Sequence, residues 1–175
     1  MLNFQQNRGF TLIELLVGLA IVSILIVSAL PSYSAWIQNT KIRNAAESVQ
    51  NGLQLARSEA VSRNTNVQFA FGTDTQWTVS VVAPVQTIQS RAAEQGSLGV
   101  LVTRTPDSGT LTFNSLGRVI TNANGSASFT QVDLDMSDIT LPANLRRPLR
   151  VTISGAGRVR MCDPSVTDAS DTRAC

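Results

Sequence analysis

Between Leu145 and Met161 lie Arg146, Arg147, Arg150, Arg158 and Arg160, with no acid among them. That window carries +5, although 14 basic and 12 acidic residues leave all 175 positions with only +2. Lys41 is the only lysine in the chain. A guanidinium is a flat fork of donors suited to phosphate and carboxylate, whereas an ammonium is a hydrated point charge. Successive strand side chains point to opposite faces, so a strand here puts Arg158 and Arg160 on one face and Val159 and Met161 on the other. Arg150 falls on the preceding strand across a Gly155-Ala156-Gly157 turn, and Arg146 and Arg147 in a proline-bounded loop. Such a cluster suits a phosphate backbone. It suits equally a solvated basic edge that deters sheet-to-sheet pairing, or partners for Asp133, Asp135 and Asp138. No aromatic residue interleaves the arginines, so stacking on single-stranded bases has no support, and nucleic-acid contact would be to duplex phosphates without sequence preference.

Other chemistry is poorly provided for. The chain has no histidine, which removes Ser-His-Asp and Cys-His nucleophiles, His-ligated zinc and a proton shuttle near neutral pH. Two cysteines, Cys162 and Cys175, are too few for a Cys-rich metal site. Glu47, Glu59 and Glu94 stand apart, and Asp133, Asp135 and Asp138 lack the glycine and closing glutamate of an EF-hand loop. Neither an enzyme nor a bound cofactor or metal is expected.

The elements that would position the arginines can be read from periodicity. Phe10 to Leu30 is apolar except for Glu14, and a helix of that length, at ~1.5 Å per residue, spans roughly the ~30 Å hydrocarbon core. A carboxylate in such a segment costs ~2.5–3.5 kcal/mol on insertion scales, which implies a partner for Glu14. Ile42, Ala45, Val49, Leu53, Ala56 and Ala60 mark one helical face up to Asn64-Thr65-Asn66, with Gly52 as a weak point. Beyond Asn66 the period becomes two, with strands at 67–71, 77–81, 100–104, 110–113, 118–121, 131–134, 149–154 and 157–161. The stretch 83–99 reads as loop. The segments Leu111–Val119 and Val151–Val159 echo each other at a spacing of 40, each a strand and turn ending Gly-Arg-Val. The fold class is therefore α+β, with one long N-terminal helix packed on a C-terminal head of short antiparallel strands, either one strongly bent sheet or two small ones.

Gly9-Phe10-Thr11-Leu12-Ile13-Glu14 resembles the class III signal of type IV pilins and type II secretion pseudopilins. The resemblance implies cleavage between Gly9 and Phe10 by a prepilin peptidase, followed by N-methylation of Phe10. It also implies that Glu14 pairs with the Phe10 amine of a neighbouring subunit during assembly, and that Pro31 is the family's helix-kinking proline. The domains would be a leader at 1–9, a helix at 10–64 whose 10–30 portion is transmembrane or filament core, and a β-rich head at 65–175. The head segments Phe113–Arg118 (F-x-x-x-G-R) and Gly157-Arg158-Val159-Arg160 narrow the resemblance to the GspH/FimT family, and Gly157–Arg160 resembles the GRxR motif of FimT-like, DNA-binding minor pilins.

On that resemblance the chain is expected to be a minor pilin that binds double-stranded DNA outside the cell through Arg146, Arg147, Arg150, Arg158 and Arg160. It would assist natural transformation and pilus biogenesis. The alternative is a structural minor pilin or GspH-like pseudopilin that primes or caps a filament without binding DNA. Expected partners are other pilins, the prepilin peptidase, the inner membrane before assembly, and DNA. The chain would sit in the inner membrane as a single-pass protein with a periplasmic head, then in an extracellular pilus. An outward-facing head lies in an oxidising compartment, where Cys162 and Cys175 are expected to form a disulfide, the alternative being two unlinked thiols.

Overall fold

The computed structural model describes residues 10–175, so the expected leader, with Gly9, lies outside the described residues. One helix, α1 (Leu12–Ser62), is followed by nine strands. These are β1 (Val67–Phe71), β2 (Trp77–Val81), β3 (Gln86–Arg91), β4 (Val100–Thr105), β5 (Thr110–Phe113), β6 (Val119–Ile120), β7 (Gln131–Met136), β8 (Leu149–Ile153) and β9 (Val159–Cys162). The chain divides into two compact units, one ending at Trp36 and one running Ile37–Cys175, and α1 contributes to both.

In the first unit α1 is apolar all round except for Glu14, and its large side chains from Leu12 to Leu30 are exposed. A helix that is hydrophobic all round must be covered by lipid or other helices, and this one is long and apolar enough to cross a membrane. Pro31 sits inside the continuous helix, where it cannot donate to the carbonyl of Val27.

In the second unit, Ile42, Ala45, Val49, Leu53, Ala56 and Ala60 are all buried, which is the face their spacing marks. Most of these side chains are small, so the sheet approaches the helix backbone closely. Gly52 is the extreme case, and it corrects the reading of that residue as a weak point. A Cβ there would lie 2.7 Å from the Phe69 ring and 3.1 Å from the Trp77 ring. The indole Nε1 of Trp77 donates to Ser48 Oγ at 2.8 Å, so its one polar atom is satisfied in the interface.

The head is two antiparallel sheets, ordered β3-β2-β1-β5-β6 and β4-β7-β8-β9. Alternation sets which side chains enter the core. Phe69 lies opposite Val79 and Leu111, and all three are buried. In the second sheet Val132, Leu134 and Met136 alternate inward along β7, with Val151 and Ile153 on β8. Phe129 joins the aromatic centre, its ring centroid 6.2 Å from Phe69 and 5.6 Å from Phe71. Burying side chains of this size contributes ~1.5–3 kcal/mol each.

The stretch expected as loop at 83–99 contains β3. Its sequence, Gln-Thr-Ile-Gln-Ser-Arg, has a single apolar residue and covers an exposed sheet edge, so no alternation marks it. Its pairing with β2 shifts register between Val79 and Ser80, a bulge that accommodates the irregular edge.

Candidate functional site

Two regions bear on function. At the start of α1, Thr11 caps the helix: its Oγ1 accepts from the Glu14 amide at 3.3 Å, and its carbonyl accepts from the Leu15 amide at 3.2 Å. The sequence Thr-x-x-Glu has the spacing of a capping box, and a carboxylate in the first turn complements the positive end of the helix dipole. Phe10, Glu14, Leu15, Gly18 and Leu19 line one shallow groove on this otherwise apolar helix. Glu14 is thus a lone carboxylate on a surface that no part of this chain covers among the described residues.

The five expected DNA-contacting arginines do not form one phosphate-facing set, and their separation follows from the strand register. Arg150 lies directly opposite Asp133 across β8 and β7, and its Nε is 2.6 Å from Asp133 Oδ1. Arg146 is the most buried of the group, with 17% of its side chain accessible. Its guanidinium reaches Asp135 at 3.2 Å, Asp138 at 2.7 Å and the Met136 carbonyl at 2.5 Å. These two arginines are therefore neutralised by the aspartates of β7 and the loop after it, as the pairing alternative held. Arg160 projects from β9, and its Nη2 donates to the carbonyls of Thr172 at 2.9 Å and Ala174 at 2.7 Å.

The tail that receives Arg160 is fixed at both ends. Cys162 and Cys175 are joined by a disulfide, and Asp163 bridges to Ala174. Within the tail, hydrogen bonds from the side chain and amide of Arg173 pull the Asp171 carboxyl down from its ordinary value to about 2. Asp168 is lowered by the Ser170 hydroxyl and amide.

Arg147 and Arg158 remain exposed, and neither guanidinium has a partner among the described residues. The amide of Arg147 donates to Asn39 Oδ1 at 2.9 Å, which ties the loop after β7 to α1. Arg158 lines a groove of about 480 Å³ between the last turns of α1 and the turn before β9, with Arg57, Val61 and Val159. No acid lines it.

The repeated Gly-Arg segments are a structural pair. In the first turn the Asn114 amide donates to the Arg118 carbonyl at 2.9 Å, and the Gly117 amide to the Asn114 carbonyl at 2.8 Å. In the second, Ser154 bonds Arg158 at 3.0 Å and Gly157 bonds Ser154 at 2.8 Å in the same pattern. In each turn the side chain of the first residue also accepts from the arginine amide, at 3.0 and 3.1 Å. The turns touch: a Cβ on Gly157 would run into the Gly117 carbonyl oxygen. That oxygen accepts from Arg57 Nε at 3.2 Å, and the Val119 amide donates to the Gly155 carbonyl at 3.1 Å. The echo at 40 positions was legible in the sequence, but Arg118 gained no role there, because contact between the turns is non-local.

A membrane-length helix packed by its C-terminal half on an antiparallel head is the architecture of type IV pilins and pseudopilins, and the chain is a member of that superfamily. Within it, residues 45–157 match the model of Type II transport protein GspH, and the chain belongs to that family. Residues 5–30 match the prokaryotic N-terminal methylation motif. These matches establish the family at the level of GspH and do not single out the FimT type.

Among solved structures, the type IV minor pilin FimU of Pseudomonas aeruginosa is 21% identical. That match covers 70% of this chain and 97% of FimU, with a TM-score of 0.50. The minor pseudopilin EpsH of the Vibrio cholerae type 2 secretion system is 18% identical, over 72% of this chain and 99% of EpsH, with a TM-score of 0.50. At these identities the likeness is one of fold. Competence protein ComGD of Bacillus subtilis is 31% identical over 70 residues, which is 40% of this chain and 49% of that protein, so the match spans about half of the relative's length.

Proposed function

We propose that the chain is a structural subunit of a pilus-like filament, a minor pilin or pseudopilin that primes or caps assembly. The observation that carries this reading is the union, in one polypeptide, of a methylation-motif helix and a GspH-type head. A helix so apolar needs lipid before assembly and other helices after it. In this reading the peptidase cuts between Gly9 and Phe10, the new Phe10 amine is methylated, and Glu14 meets the amine of a neighbouring subunit. Pairing the two charges in an apolar filament core removes the cost of leaving either unpartnered there. Residues 10–64 would form the stalk helix and 65–175 a head that starts in the periplasm. Gly9→Val should leave unprocessed precursor by intact-mass analysis, and Glu14→Ala should remove the subunit from the sheared filament fraction. Normal incorporation of Glu14→Ala would overturn the pairing.

A second reading, extracellular binding of double-stranded DNA in natural transformation, has narrower support. It rests on unpartnered Arg158 beside a groove without acids, and on similarity to a protein named for competence. A mobility-shift titration of the full chain in neutral detergent with duplex DNA tests it, and no shift would leave the filament subunit alone.

A further inference from the structure

We propose that the groove between α1 and the edge strand β3 is a docking site for an acidic, extended segment from the head of a neighbouring filament subunit, which lies along β3 and sets a carboxylate on Arg91. The inference rests on the filament reading and names one contact that would hold the subunit in place. The groove measures about 440 Å³ and is lined by Asn44, Glu47 and Asn51 of α1, Trp77 of β2, and Gln89 and Arg91 of β3. Trp77 lies opposite Arg91 and Val79 opposite Gln89. Both β3 side chains therefore share the sheet face on which Trp77 bonds Ser48 of α1.

Arg91 is the only cation in this lining. Its Nη2 donates to the Gln95 carbonyl, but Nη1 is buried and has no hydrogen-bond partner. Glu47, in the same lining, is taken by Arg43 at 2.8 Å. Burial lowers the Arg91 guanidinium from its ordinary value. A desolvated donor without an acceptor is costly, more so when it carries charge. A carboxylate entering the groove removes that cost once the guanidinium turns toward it. The other orphaned nitrogen, Arg104 Nε, belongs to a guanidinium already held by Asp107 at 3.2 Å and lying over the Phe71 ring.

The form of the partner follows from β3. This strand ends its sheet, so its outer side pairs with no strand among the described residues. Sheet edges are commonly guarded by lysine or proline. Strand β3, Gln-Thr-Ile-Gln-Ser-Arg, has neither. An extended segment added there gains main-chain hydrogen bonds, and its alternate side chains point to the α1 side, where an Asp or Glu meets Arg91.

The test uses the full chain in cells that build the filament, with Ser90→p-benzoylphenylalanine as a photo-crosslinker and the same probe at Thr87 as a second position. Ser90 is exposed on β3 and alternates away from the groove, so the probe leaves the groove open. Irradiated filaments should yield an adduct that mass spectrometry maps to the head of another subunit bearing the methylation motif, next to an Asp or Glu. Arg91→Gln should lower the adduct yield about tenfold, the worth of one charged hydrogen bond. Arg91→Glu should abolish the adduct, and exchanging the mapped acid for Arg in the partner should restore it, a rescue that an unfolded variant cannot give. An adduct on a partner's stalk helix, a yield undiminished in Arg91→Glu, or failure of the exchanged charge to rescue would each overturn the docking site. So would filaments that carry the chain without any adduct, and in all four cases the filament reading stands. A parent chain absent from the filament fraction removes that reading and this site with it.

Discussion

Gly157 combines a φ of +79° with a backbone so close to Gly117 that no side chain fits between them. The left-handed conformation costs an L-residue ~1–2 kcal/mol, and forcing the turns apart costs ~1–3 kcal/mol in lost packing. Gly157→Ala should therefore lower unfolding free energy by ~2–5 kcal/mol in a urea titration, whereas Gly155→Ala, with open space around its Cβ, should be close to neutral. Sequence alone marks both as turn glycines, because what separates them is a neighbour 40 residues away. The arginines teach a related lesson. Their excess was plain from composition, yet whether each is free depends on strand register, which sets Arg150 opposite Asp133. Asp171 offers a pH test at the same scale. Its carboxyl titrates at about 2 because Arg173 donates to it. The folded value is depressed, so the favourable contact is present above the ordinary carboxyl range and is lost as pH falls through about 2. An NMR titration should place the Asp171 midpoint near 2, and Arg173→Gln should move it upward.

Elements with a strong period were the legible ones. The helical face from Ile42 to Ala60 and the alternations in β1 and β2 appear in the sequence because each buries one side against the same core. Strand β3 was hidden for the opposite reason: an outer edge strand buries almost nothing, so its composition is free. The tail after β9 is set by cross-links and not by burial. Its disulfide joins residues separated by 13 positions, and closing a loop of about 15 residues contributes roughly 3 kcal/mol in the chain-entropy model. Replacing Cys162 and Cys175 with serine should cost about that much stability. It should also release the carbonyls that hold Arg160, so Arg160 becomes more accessible to anions. If the chain binds duplex DNA, the salt dependence of the serine variant should steepen by about 0.9 relative to the parent. An unchanged slope would show that the tail stays in place without its cross-link.

For the whole molecule, the two units answer to different surroundings. The head has its own buried core, while the apolar span up to Leu30 is covered by nothing among the described residues and is long and apolar enough to cross a membrane. Glu14 stands where both demands meet, as a first-turn carboxylate of the helix and as a charge in an apolar surface. Glu14→Gln separates these roles: the amide bond to Thr11 is made by the backbone and should persist, so loss of filament incorporation by this variant would trace to charge alone. The disulfide carries one more consequence. It occupies both sulfhydryls of the chain and leaves none reactive. Any cysteine introduced elsewhere becomes a unique handle for a maleimide dye, and Ile139, 99% accessible at the head surface, is a ready position. Cells expressing Ile139→Cys should fluoresce after brief treatment with a membrane-impermeant dye if the head is displayed outside the cell, and cells that stay dark would show that it is not.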